Sequence, residues 1–182
     1  MSALRLLTAS LALALAACGT PTPTPEPVPS STGSGRFGPT DVAFAELSVA
    51  TGEQAVRLAD LGSRRATGPA LRSLAADTAA ARRAELTELR GLLAAAAVPY
   101  ADQHRGHDMP GMPTDVELDA LGAAGADFDL RFTTALRAHL EESATVVASA
   151  VDSPASAPET VELAERMRRD RHALLERLNR LG

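Results

Sequence analysis

An all-α four-helix bundle is the fold class this sequence predicts, and three observations predict it. Alanine and leucine dominate a chain with 3% aromatic residues and no tryptophan, a composition that favours helix over sheet. Apolar residues recur at i, i+3, i+4 spacing through four long stretches. Those stretches pair through short loops into two helical hairpins, and two hairpins bury their stripes most economically against each other.

The elements follow in order. The first helix opens after Pro39, with Thr40 or Asp41 as its N-cap, and runs to about Leu61. Gly68-Pro69 starts the second, whose stripe Leu71, Leu74, Thr78, Ala81, Glu85, Leu89 and Leu92 continues to Leu93. Thr114-Asp-Val-Glu117 has the hydroxyl and carboxylate spacing of a capping box, opening a short helix that ends near Gly122. A third long helix spans about Asp127 to Val151 and places Phe128, Phe132, Ala135, His139, Ser143, Val146 and Ala150 on one face. The last follows Pro158 and carries Leu163, Met167, Arg171, Leu174, Leu178 and Leu181.

The two hairpins, about 40–93 and 128–181, also read as a repeat. Asp41-Val-Ala-Phe44 matches Asp129-Leu-Arg-Phe132, and Leu74-Ala75 with Leu86 and Leu89 matches Leu163-Ala164 with Leu175 and Leu178. In that register Thr51 corresponds to His139, Arg82 to Arg171 and Glu85 to Leu174, so a pseudo-twofold bundle is expected.

Ahead of the bundle the chain reads as an address. Arg5 precedes an apolar run from Leu6 to Ala17, too short to span a bilayer and of the length of a signal-peptide core. Leu15-Ala-Ala-Cys18-Gly19 resembles the bacterial lipobox, in which the cysteine becomes the lipidated first residue after cleavage. Residues 1–17 are therefore expected to be a lipoprotein signal peptide. Residues 18–38 are expected to be the lipidated Cys18 with a Pro/Ser/Gly tether, and 39–182 the bundle domain. Alternating prolines over 20–29 favour an extended, spacer-like conformation. Export with a lipid anchor on the outer face of the cytoplasmic membrane, or elsewhere in the cell envelope, follows. Cys18 is the sole cysteine, which leaves no internal disulfide and no thiolate metal site.

Charge narrows the partners. The net charge is −5 and every basic residue is arginine, so nucleic acid is not an expected partner. The pairs Arg64-Arg65, Arg82-Arg83 and Arg168-Arg169 read as solvated helix faces. A protein partner is not identified by any motif.

The segment between the hairpins carries the chemistry. His104-Arg-Gly-His-Asp-Met-Pro-Gly-Met112 gathers two of the four histidines and two of the four methionines. Imidazole and thioether together suit copper better than harder cations. Gly106, Pro110 and Gly111 mark a loop in which His104, His107, Met109 and Met112 could converge, with Asp108 or His139 added. The alternative is a polar inter-helix loop of incidental composition.

Taken together, Asp41-Val-Ala-Phe-Ala45, Gln54-Ala-Val56, Glu85-Leu-Thr-Glu-Leu-Arg-Gly91, the His-x-x-His-Asp-Met-Pro-Gly-Met loop with Thr114-Asp-Val-Glu-Leu118, and Phe128-Asp129 leading to His139 resemble the domain of unknown function 305 family. The resemblance covers roughly residues 40 to 181. It implies a ferritin-like four-helix fold, export, and a link to copper binding and tolerance in some members. It also implies Met-Met-Ile-Pro-His-His runs on the first helix of each hairpin and Gln-x-x-Glu on the second. Here those runs read Leu47-Ser-Val-Ala-Thr-Gly52 and Ala135-Leu-Arg-Ala-His-Leu140, the Gln positions are Arg82 and Arg171, and the second carboxylate position is Leu174. Of that set only His139 and Glu85 remain in the bundle.

Glu85 and His139 both fall on apolar stripes, with Arg171 close in register. A hydrogen-bonded Glu85, His139 and Arg171 cluster would satisfy all three, since an unpaired buried charge is costly. The competing reading makes Glu85 and His139 metal ligands supplemented by His107 or Met109 from the loop, because one His and one carboxylate are too few alone. His172 lies off its stripe and is expected to be solvated. No nucleophile–base arrangement and no phosphate-binding Gly-rich loop occur, and inward Glu-x-x-His pairs for a di-iron centre are missing, so an enzyme is not expected. Two functions remain: a lipid-anchored copper-binding or copper-buffering protein, and a non-enzymatic envelope interaction module with a vestigial metal site.

Overall fold

A computed structural model describes residues 36–104 and 107–181. The signal segment, Cys18 and most of the tether lie outside the described residues. Within them run α1 (Pro39–Arg65), α2 (Pro69–Ala95), α3 (Asp115–Gly122), α4 (Phe128–Asp152) and α5 (Pro158–Asn179). The all-helical expectation holds, with each long helix ending within four residues of its predicted limits.

The helix starts follow from local chemistry. Pro39, Pro69 and Pro158 stand at the first helical positions of α1, α2 and α5, where the missing N–H has no acceptor to lose. At α3, Thr114 Oγ1 accepts from the Glu117 N–H at 3.2 Å while the Glu117 carboxylate accepts from the Thr114 N–H at 2.8 Å. The N-cap of α1 is Gly38 rather than Thr40 or Asp41. Asp41 instead sits in the first turn and accepts from the Gly38 N–H at 2.7 Å. At its far end α2 closes in a Schellman turn: the Val98 N–H donates to Leu93 O at 3.0 Å and the Ala97 N–H to Ala94 O at 3.0 Å.

Helix α1 packs on α2 and α4, and α5 packs on α2 and α4, so the four long helices form a closed square. Asp41, at the start of α1, accepts from the Ala157 N–H at the head of α5 at 2.8 Å. Asp129, at the start of α4, accepts from the Thr67 N–H at the head of α2 at 3.1 Å. The two repeat-related aspartates thus each cap the turn of the other hairpin, which gives the internal repeat its physical form. These contacts also make every neighbouring pair of long helices antiparallel. Since α2 ends beside the start of α1, the chain must travel the length of the bundle before α4 begins. Residues 96–127 are that crossover, and α3 within it packs on α1 and α4. One long crossover is the topology of ferritin-like bundles.

Two apolar clusters fill the core. One surrounds Phe128 and Phe132 with Leu58, Leu74, Leu136 and Leu178. The other surrounds Phe44 with Val49, Leu89, Leu93 and Met167. Phe44 and Phe132 are equivalents in the repeat, one in each cluster. Between the clusters, at mid-height, lies a polar layer.

The Arg65 guanidinium holds the crossover in place. It donates to the carbonyls of Leu121, Gly122 and Ala124 at the end of α3, and its Cζ lies 4.6 Å from the centroid of the Phe128 ring. Arg65 is therefore not part of a solvated face. Leu181, expected on the inner stripe of α5, is 44% exposed, because α5 ends at Asn179.

Candidate functional site: the crossover loop and the polar layer beneath it

Met109-Pro-Gly-Met112 forms a tight turn. The Met112 N–H donates to Met109 O at 3.0 Å, with Pro110 next in the chain and Gly111 at φ 69°, the glycine-favouring conformation of such a turn. Glycine is required here twice over. A Cβ at position 111 would lie 2.6 Å from Glu142 Cβ and 2.8 Å from Ala138 O, so the turn lies directly on α4. The contact is completed by His139, whose Nδ1 lies 3.1 Å from Gly111 O. A carbonyl can only accept, so Nδ1 carries the proton and Nε2 presents its lone pair to the interior.

This turn separates the predicted loop ligands. Met112 is buried, 5% exposed, and Met109 is half-buried. Both line a cavity of about 390 Å³ with Leu58, Leu118 and Leu121, and Asp108 and Glu117 also border it. His104 and His107 lie before the turn, with ring centroids 6.4 Å apart in an edge-to-face arrangement. The His107 N–H donates to His104 O at 3.0 Å, so the backbone itself folds one histidine toward the other. His107 and Asp108 are exposed. His172 is exposed on α5, as expected. Among the described residues no group of three or more His, Cys, Asp or Glu side chains is arranged to hold a metal ion.

Beneath the turn, the polar layer consists of Thr78, Arg82, Glu85, His139, Ser143 and Arg171, all buried. Arg171 Nη1 donates to Glu85 Oε1 at 2.5 Å and to Met167 O at 3.2 Å, and Nε donates to Ser143 Oγ at 3.3 Å. The predicted Glu85–Arg171 pairing is present. His139 does not complete it, because its Nδ1 is committed to the loop and its buried Nε2 makes no hydrogen bond.

Arg82 overturns its reading as a solvated residue: it is 1% exposed. Its spacing to Thr78, Glu85 and Leu89 follows the i+3/i+4 rhythm of the buried stripe, a signal masked by reading Arg82-Arg83 as a pair. Nη2 of Arg82 lies 3.0 Å from Glu85 Oε1, yet the orientation makes no hydrogen bond for any of its three nitrogens. The layer therefore holds two guanidiniums against one carboxylate. Burial, then the Arg171 charge, lowers the Arg82 pKa to about 10, still protonated near neutrality. Burial, then the charges of Arg82 and Arg171, lowers the His139 pKa to about 3. A cation approaching His139 Nε2 would meet two guanidiniums, and Glu85 is already engaged by both. The residues of the layer do not fit a copper ion, which argues against Glu85 and His139 as its ligands.

The domain of unknown function (DUF305) family matches residues 41–181. This chain belongs to the DUF305 family. The DUF305 fragment from Deinococcus radiodurans superposes with a TM-score of 0.70 at 18% identity, covering 80% of this chain and 96% of that one. A DUF305 protein from Streptomyces coelicolor, described as a presumed secreted protein, superposes with a TM-score of 0.69 at 22% identity, covering 78% and 91%. At those identities the likeness is one of fold. No curated protein matches. The crossover, the paired aspartate caps and the polar layer described above are thus features of a DUF305 bundle with arginines at its centre.

Proposed function

We propose that the chain is an exported, lipid-anchored protein, not an enzyme, that binds copper at the His104–His107 surface of its crossover loop. The bundle then serves as the scaffold and not as the ion site. The observation that carries this reading is the imidazole pair at 6.4 Å. Imidazoles that share a metal, each bound through nitrogen at about 2 Å, have centroids roughly 4.5–6 Å apart, so a small closing motion suffices. The Met109 thioether and the Asp108 carboxylate follow directly in the chain, and a nitrogen–thioether set suits copper. Met112 serves as a packing residue, since it is buried against the bundle. A surface site with so few donors exchanges its ion readily, which suits buffering or hand-over. The secreted description of the Streptomyces coelicolor neighbour and the lipobox at Cys18 support an extracytoplasmic setting.

The test is a competitive Cu(I) and Cu(II) titration of the chain, of His104→Ala/His107→Ala and of His139→Gln. Binding lost in the loop variant and kept in His139→Gln is the expected result. The reverse pattern would move the ion into the bundle. No binding in any form would leave the interaction module, which the 390 Å³ cavity between crossover and bundle favours. Membrane fractionation of Cys18→Ala, expected to release the protein, tests the anchor separately.

A further inference from the structure

The polar layer is out of balance in a specific way. Arg82 and Arg171 bring two positive charges to a space closed to solvent, Glu85 returns one negative charge, and His139 is neutral. Arg171 is satisfied by Glu85, Ser143 and Met167. Arg82, with none of its side chain exposed, has Nη2 paired with Glu85 Oε1 at 3.0 Å, while its Nε and Nη1 face no acceptor. A buried guanidinium that shares its one carboxylate with a second guanidinium and leaves most of its donors unmet is costly, and such donors require a partner. Water would satisfy donors and leave the excess charge. An anion does both. The layer is enclosed by buried side chains, so the anion must be small, and one charge is what Glu85 leaves unmet.

We propose that the centre of the bundle binds a single small monovalent anion of halide size, held by the Arg82 guanidinium in the layer it shares with Arg171 and Glu85. The site is independent of the copper reading, since it lies beneath the loop and takes the opposite charge. It gives the arginines that stand where metal-site residues are expected a purpose of their own: a halide closes the charge balance that Glu85 leaves open. Binding to the folded state alone raises stability with anion concentration, and the gain grows as the logarithm of concentration once the site is filled.

The experiment is thermal unfolding of the full chain in sodium fluoride, chloride and bromide at one ionic strength. General salt effects rank strongly hydrated fluoride as the most stabilising. A desolvated site ranks the halides the other way, because fluoride gives up its water reluctantly. The expected result is a Tm higher by about 4 °C or more in chloride and bromide than in fluoride, the difference growing with the logarithm of concentration. Arg82→Met should abolish the halide difference while leaving a folded bundle, since it removes both the excess charge and the unmet donors. Should that variant fail to fold, bromide anomalous scattering from crystals of the unaltered chain decides the matter by a peak beside Arg82. Equal Tm values in the three halides, or a peak elsewhere only, would overturn the proposal.

Discussion

Two residues show how far single positions depart from what their type suggests. Ala97 holds φ at 57° to close the Schellman turn of α2, a conformation that costs an L-residue with a Cβ roughly 1–2 kcal/mol. Ala97→Gly should therefore stabilise the protein by about 1 kcal/mol after glycine's greater chain entropy is counted, visible as a higher urea midpoint with unchanged slope. Gly62 runs the opposite way. Inside a helix a glycine looks like a weakness that alanine would repair by about 1 kcal/mol. Here a Cβ would lie 2.1 Å from Phe132 Cζ, and Phe132 is fully buried in its cluster. Gly62→Ala should instead destabilise by about 1–3 kcal/mol through overpacking, and a midpoint that rises would mean the ring has room to move. Neither sign was legible from sequence, because both depend on what stands across a gap.

At the scale of elements, the hairpin repeat was legible because two short motifs, each starting with aspartate and ending with phenylalanine, recur at one offset. What the repeat does became clear only when Asp41 and Asp129 were seen on the opposite hairpins' turns. The two caps differ in burial: Asp41 is 1% exposed, whereas Asp129 is reached by water. Asp41→Ala leaves the Gly38 and Ala157 N–H groups without their acceptor and should cost about 1–3 kcal/mol. Asp129→Ala should cost less, since water can replace its oxygens. Equal losses in chemical denaturation would mean that cap geometry outweighs burial. Asp129 is also held below the ordinary carboxylate range by the Thr67 hydroxyl and N–H. Its contribution is therefore present above that range and fades as acid protonates it. The crossover was legible as a loop with a capped helix, but not as a strap. Its attachment rests on Gly111, Arg65 and His139 meeting partners distant in the chain.

For the whole molecule, the four-helix class was legible because period and capping act locally, and the family resemblance carried the connectivity. The centre was legible only in part: the Glu85–Arg171 pairing was, and the burial of Arg82 was not. Arg82 carries the same rhythm as its buried neighbours, but burial of a charge depends on every helix around it. That centre sets the molecule's response to acid. His139 is neutral in the fold, with its pKa lowered from 6.5 to about 3 by burial and by Arg82 and Arg171. Between those values the unfolded chain binds a proton that the folded one does not. Stability from this group is therefore complete above about pH 6.5 and is lost as pH falls toward 3, with a slope of up to about 1.4 kcal/mol per pH unit. His139→Gln removes this slope and keeps an amide that can reach Gly111 O, while carboxylate titrations elsewhere affect both proteins alike. Urea unfolding of both at pH 7, 6, 5 and 4 and constant chloride should give curves that diverge below pH 6.5, the unaltered chain falling faster. Curves that stay parallel would mean that His139 charges within the fold, and that the loop releases it before the bundle opens.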